Sequence, residues 1–473
     1  MKGSECVISI QELLGLINEF LYSNILIALL VATGVYFTIR TKFVQFRYIK
    51  EMFRLLGDGI GKSNKEKGGV SSFQAFCIST ASRVGTGNLA GIAIAISVGG
   101  PGAIFWMWLI ALIGSASSFV ESTLAQIYKQ SDGNGAYIGG PAYYMEKALN
   151  MKWMGIIFSI LITICFGLVF NSVQSNTISL ALNEAFGVNR ILVGAILTLL
   201  TLSIIFGGIH RIAKVSEIIV PIMASAYILV ALFVVITNIS ELPAMFALIF
   251  ENAFGVKQAV GGGIGGALLI GIKRGLFSNE AGMGSAPNAA ATANVSHPVK
   301  QGLIQTLGVF TDTIVICSCT AFIILLSDVD LSGGLTGIQL TQNALSSQIG
   351  SFGSIFIAIC VLLFAFSSIV GNYYYGEANI EFLTKKKIYL NLYRICVAVM
   401  VLFGATVSMD IVWNLADVFM ALMAITNLIA IALLGKIAFK ALDDYRAQKK
   451  SGIKDPVFKA SSIPELKNVT EWN

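Results

Sequence analysis

The sequence predicts an all-α polytopic membrane protein, and three observations predict it. Hydrophobic residues make up 55% of the chain and charged ones 12%, with a mean hydropathy of +0.77. That is too little polar surface to solvate a globule of 473 residues. A helix needs about 20 mostly apolar residues to cross ~30 Å of hydrocarbon, and eleven such stretches occur, at 20–40, 71–98, 103–128, 153–182, 189–209, 214–237, 260–291, 301–326, 353–382, 388–407 and 411–436. These runs are continuous, unlike the alternating ten-residue segments of a membrane β-barrel.

The stretch 20–40 lacks the basic leader and small-residue cleavage site of a signal peptide, so it reads as a mature helix. Residues 41–70 interleave aromatic and aliphatic residues with cations, the pattern of a helix lying on the membrane surface. Of the 32 Lys and Arg residues, 26 fall on one side of the eleven-span arrangement; Lys2, Arg190 and Lys257 fall on the other, and Arg83, Lys273 and Arg274 lie within spans. Since cytoplasmic loops hold the excess of cations, the N-terminus is expected outside and the C-terminus inside a plasma membrane. The net charge of +6 is then a topology signal that can also meet anionic membrane lipid, with no reason to invoke nucleic acid.

Two spans differ from the rest. The second contains Ser79-Thr-Ala-Ser-Arg-Val-Gly-Thr-Gly-Asn88, and the seventh a glycine run from Gly261 to Gly275 followed by Phe277-Ser-Asn-Glu-Ala-Gly-Met-Gly-Ser-Ala-Pro287. Glycine-interrupted helices at corresponding places in two halves point to the central site of a transporter. The chain divides accordingly: 1–70, a first helix and basic linker; 71–237, a first five-helix set; 238–260, an extracellular connection; 261–441, a second five-helix set; and 442–473, a flexible cytoplasmic tail. Unwound backbone at membrane depth is tolerated only where it lines a cavity or holds a ligand. A half-helix N-terminus offers N–H groups to a carboxylate and freed carbonyls hold cations, so an amino-acid zwitterion with a cation matches both ends.

Candidate residues follow from that reading. Thr86, Gly87 and Asn88 face the carboxylate end, with Gly275, Phe277 and Ser278 from the seventh span. Phe170 is a wall residue, and Asn171 and Gln174 share a helix face at i, i+3. Ionisable groups inside spans are functional candidates, and Asp312 is the expected cation ligand or charge partner. Arg83, Lys273, Arg274, Glu280 and Glu121 are candidates for internal ion pairs. The Gly85-Thr-Gly-Asn-Leu-Ala90 fit to a dinucleotide fingerprint fails because no strand precedes it, and neither His210 nor His297 has a partner at zinc-ligand spacing. No catalytic constellation and no resident cofactor is expected.

Gly99-Gly-Pro-Gly-Ala-Ile-Phe-Trp-Met-Trp-Leu-Ile-Ala-Leu-Ile-Gly114 resembles the signature of the alanine or glycine:cation symporter family. Arg274-Gly-Leu-Phe-Ser-Asn-Glu-Ala-Gly-Met-Gly-Ser-Ala-Pro287 and Gly135-Ala-Tyr-Ile-Gly-Gly-Pro141 resemble further stretches of it. The resemblance implies an inverted five-plus-five leucine-transporter fold with one extra N-terminal helix, symport of alanine or glycine, and sodium or proton coupling. It also likens Phe364-Ala-Phe-Ser-Ser-Ile369 to the helix that supplies hydroxyls to a sodium site. Ser367 and Ser368, with the carbonyls of Ala81 and Val84, are therefore expected to hold sodium. A proton-coupled symporter is the alternative, and a passive amino-acid channel a more distant one.

Overall fold

The protein is described from a computed structural model covering residues 10–60, 70–133, 135–254, 263–331 and 333–472. In chain order the principal helices are α1 (Gln11–Arg40), α2 (Ile49–Gly59), α3 (Ser72–Arg83), α4 (Gly87–Gly99), α5 (Ala103–Ile127), α6 (Pro141–Lys147), α7 (Lys152–Phe186), α8 (Arg190–Ile205), α9 (Gly208–Thr237), α10 (Leu242–Phe254), α11 (Gly263–Asn279), α12 (Ala286–Thr292), α13 (Pro298–Leu325), α14 (Gly337–Ile349), α15 (Phe352–Leu383), α16 (Lys387–Thr406) and α17 (Met409–Lys450). Eight of them (α1, α5, α7, α9, α13, α15, α16 and α17) are long and apolar enough to cross a membrane, while α4 and α8 are shorter apolar helices. A two-stranded antiparallel hairpin, β1 (Gln130–Ser131) with β2 (Tyr137–Ile138), follows α5.

Local chemistry sets the ends of these elements. Ser71 and Gln74 form a reciprocal capping box that starts α3, and the His297 ring accepts from Val299 N at the start of α13, with Pro298 in the first turn. Helix α1 lies against α17, where Asn18 donates to Asn414 O (3.2 Å) and Tyr22 OH to Asp417 O (3.3 Å). It also crosses α5 so closely that a Cβ on Gly34 would stand 2.4 Å from Ile113. Small residues buy such backbone proximity between membrane helices.

The expected interruptions are both present. Helix α3 ends at Arg83, and Val84 turns extended (ψ 90°) before the chain re-enters helix at Gly87. Helix α11 stops at Asn279, and the turn to α12 runs through left-handed conformations at Glu280 (φ 57°), Gly282 and Gly284 (both φ 83°). The latter two suit glycine, which carries no Cβ penalty there. The glycines at 261 and 262, and residues 61–69 of the basic linker, lie outside the described residues.

The connection 238–260 contains a 13-residue helix, α10, which packs on the turn before α5; a Cβ on Gly102 would fall 2.4 Å from the Asn252 carbonyl carbon. One expectation needs correction. The segment from Leu442 is not a loose tail. Helix α17 continues to Lys450 with Leu442 and Tyr445 buried, and residues 451–472 fold back over the face carrying the 130–138 hairpin. Phe458 N donates to Ser296 O (2.9 Å) and Trp472 Nε1 to Gln126 O (2.8 Å), and Lys300 pairs with Asp455. Three apolar anchors, Phe458, Ile463 and Trp472, are buried within this hydrophilic stretch, and averaging over composition hides them.

Candidate substrate and cation site

The break between α3 and α4 faces α15. Ser368 Oγ lies 2.8 Å from Ala81 O, 3.0 Å from Phe364 O and 3.4 Å from Val84 O. Three carbonyls thus converge on a hydroxyl with one proton to give, an oxygen-rich cluster whose remaining lone pairs suit a hard cation. Ser367 is placed differently: its hydroxyl bonds back to Phe364 O at 2.8 Å, the ordinary arrangement for a helical serine. Gly85 is required by the closeness of this junction, since a Cβ there would stand 2.3 Å from Ser368 Oγ and 2.8 Å from Gln174 Oε1.

On the other side of the break, Gln174 Oε1 accepts from Thr86 N (2.9 Å) and Thr86 Oγ1 (2.6 Å). The Thr86 amide is the group expected to meet a carboxylate, and a side-chain oxygen stands at it. Asn171 donates to Gly167 O of its own helix at 3.0 Å, while its Oδ1 is buried with no partner among the described residues. That oxygen is an acceptor available to an ammonium. The Phe170 ring lies tilted at 4.5 Å from that of Phe277, and a Cβ on Gly87 would press on the Phe277 ring at 2.9 Å. Gly275 does not join this wall, because its open face packs on Met107 and Ile110 of α5.

A second polar cluster gathers at Asp312. Its carboxylate accepts from Asn88 Nδ2 (2.7 Å), Ser278 Oγ (2.7 Å) and Thr313 Oγ1 (2.9 Å), and Asn88 Oδ1 in turn accepts from Gly85 N (2.9 Å). Both breaks and α13 therefore meet at one fully buried carboxylate that has no cation within ion-pair distance among the described residues. The widened helical turns at Gly87–Gly91, Thr163–Phe170 and Phe310–Cys317 deliver Asn88, Phe170 and Asp312 to the site, as such turns often do at functional sites.

The other charges that the sequence placed inside spans are mostly not in ion pairs. Glu121 clamps the second break by accepting from Gly282 N and Gly284 N, both at 3.1 Å, and from Asn427 Nδ2 at 2.8 Å. Glu280 accepts from Ser82 Oγ (2.8 Å) and Ser285 Oγ (2.6 Å), linking the two breaks. Arg83 reaches Gln305 O and Ser118 Oγ at 3.3 and 3.4 Å. Of the five charges expected to pair, Arg274 alone has an acidic partner within ion-pair distance among the described residues, Asp417, one of its nitrogens lying 2.5 Å from both carboxylate oxygens. Sequence reasoning missed Asp417, although an acid inside the eleventh span was the available signal. This pair and Trp413 form the floor of a cavity of about 250 Å³ that also touches Lys273, Thr336 and Asp410. The Trp413 ring lies tilted at 4.6 Å from that of Phe277, the ring a Gly87 Cβ would meet, so the salt bridge and this aromatic pair stand between the cavity and Gly87.

The sodium:alanine symporter family profile matches residues 7–460. The chain is 59% identical over 463 residues to the Bacillus subtilis protein named probable sodium/glutamine symporter GlnT, covering 98% of this chain and 96% of that one. It is 37% identical over 454 residues to the sodium/alanine symporter AgcS of Methanococcus maripaludis, covering 94% and 99%. Among solved structures, that of MhsT in complex with L-phenylalanine superposes with a TM-score of 0.58 at 18% identity, over 78% of this chain and 95% of that one.

Proposed function

The chain belongs to the sodium:alanine symporter family, a multi-pass membrane transporter of the leucine-transporter fold, and from that premise we propose that it imports a small neutral amino acid, alanine or glycine, with sodium by alternating access. The observation that carries sodium coupling is the convergence of the Ala81, Val84 and Phe364 carbonyls on Ser368 Oγ. A sodium ion there ties the unwound second span to α15, two parts that alternating access moves against each other. The substrate carboxylate takes the Thr86 and Gly87 amides in exchange for Gln174 Oε1, and Asn171 Oδ1 receives the ammonium. Asp312, with Asn88 and Ser278 beside it, supplies negative charge for a second cation.

The vestibule above Arg274 and Asp417 is the outer approach, and the salt bridge with Trp413 and Phe277 closes it. With the basic face in the cytoplasm, the folded segment 451–472 covers part of the inner side. A proton could replace sodium, and a channel would equilibrate rather than concentrate. Purified protein in sealed vesicles decides between these: labelled alanine should accumulate only under an inward sodium gradient. Accumulation driven equally by a proton gradient, or equilibration alone, would remove sodium symport. Glutamine is a second substrate reading, favoured by the 59% identity to GlnT.

A further inference from the structure

The middle of α7, the end of α15 and the first turns of α16 enclose an apolar groove of about 550 Å³ that the roles above leave unused. All three are membrane spans. Ile164, Leu168, Ile380, Leu383 and Leu392 give it aliphatic walls, a lining that holds hydrocarbon in preference to water. Along α16 the lining runs from Lys386, just before the helix, to Cys396. Ten residues at helical rise are about 15 Å, half of the ~30 Å of hydrocarbon in a bilayer. The groove therefore has the depth of one leaflet.

Lipid tails fill any furrow on a spanning bundle, so the mouth decides whether the occupant is chosen. Lys385, Lys386 and Lys387 follow one another there, all three exposed. None of them holds an ion pair among the described residues, whereas Arg394, farther along α16, is taken by Glu377. The charge of Glu381 acts on Lys385 and offsets one of the three cations, which leaves the mouth positive. Basic pockets beside spans collect anionic headgroups. Tyr389, half exposed, lines the same mouth, as aromatic residues do at a membrane interface.

The floor of the groove is the back of the substrate wall. Thr163, Ile164 and Leu168 line it from the widened turn Thr163–Phe170, whose far side presents Phe170 and then Asn171 to the candidate site. Gly167 in that turn packs on Tyr393, with whose hydroxyl a Cβ would collide, and Tyr393 in turn donates to Tyr373 O at 3.0 Å. An occupied groove supplies packing contacts to the turn on the side where protein supplies none. We propose that the groove binds one anionic phospholipid, an acyl chain lying along α16 and the phosphate at Lys385, Lys386 and Lys387, and that this chain braces the widened turn of α7 from outside.

Cys396, a free thiol of intermediate exposure in the groove lining, reports occupancy. In full-length protein in detergent, its alkylation by an apolar maleimide, read by mass spectrometry, is expected to slow as phosphatidylglycerol is added and to stay constant with phosphatidylcholine at the same concentration. A lysine near an anionic headgroup contributes about fivefold in binding. Lys385→Gln, Lys386→Gln and Lys387→Gln together, all at exposed positions, should therefore raise the half-protecting concentration on the order of a hundredfold. Equal protection by the two phospholipids, protection that survives loss of the lysines, or protection by a fatty-acid anion and none by phosphatidylglycerol would overturn the site. Bracing is read by thermal shift: phosphatidylglycerol should raise the Tm of the native protein and leave that of Leu392→Trp, whose ring fills the groove, unchanged. A native Tm indifferent to the lipid, or an equal rise in both proteins, would overturn the bracing. No substrate enters these measurements, so they stand or fall independently of the transport reading.

Discussion

Replacing Ser368 by alanine removes the hydroxyl around which the carbonyls of Ala81, Phe364 and Val84 gather at 2.8, 3.0 and 3.4 Å. If sodium binds there, the variant loses one of its direct oxygen ligands. An interaction with a charged group contributes about 1.5–3 kcal/mol, which at 1.4 kcal/mol per tenfold is roughly a 10- to 150-fold rise in the sodium concentration giving half-maximal uptake. Ser367→Ala should shift it by less than about threefold, because that hydroxyl is engaged by Phe364 O of its own helix. Alanine affinity at saturating sodium should hold in both, since only sodium loses a contact. Gly85→Ala is an independent arm, its Cβ landing 2.3 Å from Ser368 Oγ, and should move sodium dependence in the same direction. The assay is alanine uptake into vesicles over a sodium series. Equal shifts in the two serine variants, or none in either, would refute the placement of the ion at Ser368.

Gly87→Val should abolish uptake while leaving membrane insertion intact, because its Cβ lands 2.9 Å from the Phe277 ring; normal transport would put the substrate elsewhere. Arg274→Gln leaves Asp417 buried and unpaired and should cost about 3–5 kcal/mol, seen as a lower Tm, with Asp417→Asn in the same protein restoring much of it. A double variant as unstable as the two single losses added would mean the pair is not coupled. The C-terminal segment should loosen in acid. The His297 ring packs edge-on against Tyr445 and Phe458, and burial, opposed in part by Asp444, pushes its pKa down to about 4. An undocked His titrates near ~6.5, so the undocked form binds more protons between those values. Docking is therefore complete above pH 6.5 and weakens as pH falls toward 4. A spin label at exposed position 461 should gain mobility over that window and stay constant above it; constant mobility throughout would exclude His297 as the cause.

What the sequence made legible was local. The two breaks could be read because glycines and polar residues interrupt otherwise apolar runs, a signal contained within a single segment. Gln174 could be placed on the same helix face as Asn171, but which of the two reaches the break depends on how α7 turns through its widened segment at Thr163–Phe170, and no composition records that. Asp417, Glu121 and the pairing of Ser82 with Glu280 join residues between 143 and 306 positions apart, and nothing in one sequence says which distant polar groups meet.

The internal ion pairs expected of the buried charges turn instead into a division of labour. Glu121 and Glu280 both act on the second break, but in different ways. Glu121 accepts two of its backbone amides from the adjacent α5 and so fixes the shape of the turn. Glu280, from within that turn, reaches across to Ser82 of the first break and so fixes where the two turns lie relative to each other. Neither carboxylate has a cation within ion-pair distance among the described residues; each is held by neutral donors, which compensate buried charge without pulling two helices into one rigid pair. The buried ion pair of Arg274 with Asp417 lines instead the cavity with Trp413, which under the proposed function is the outer path that opens and closes. A salt bridge suits that place because water entering an opening vestibule resolvates both partners and lowers the cost of separating them. The central contacts are buried between helices and lack that access to water, so the two unwound segments are expected to move as a unit while the Arg274–Asp417 pair breaks.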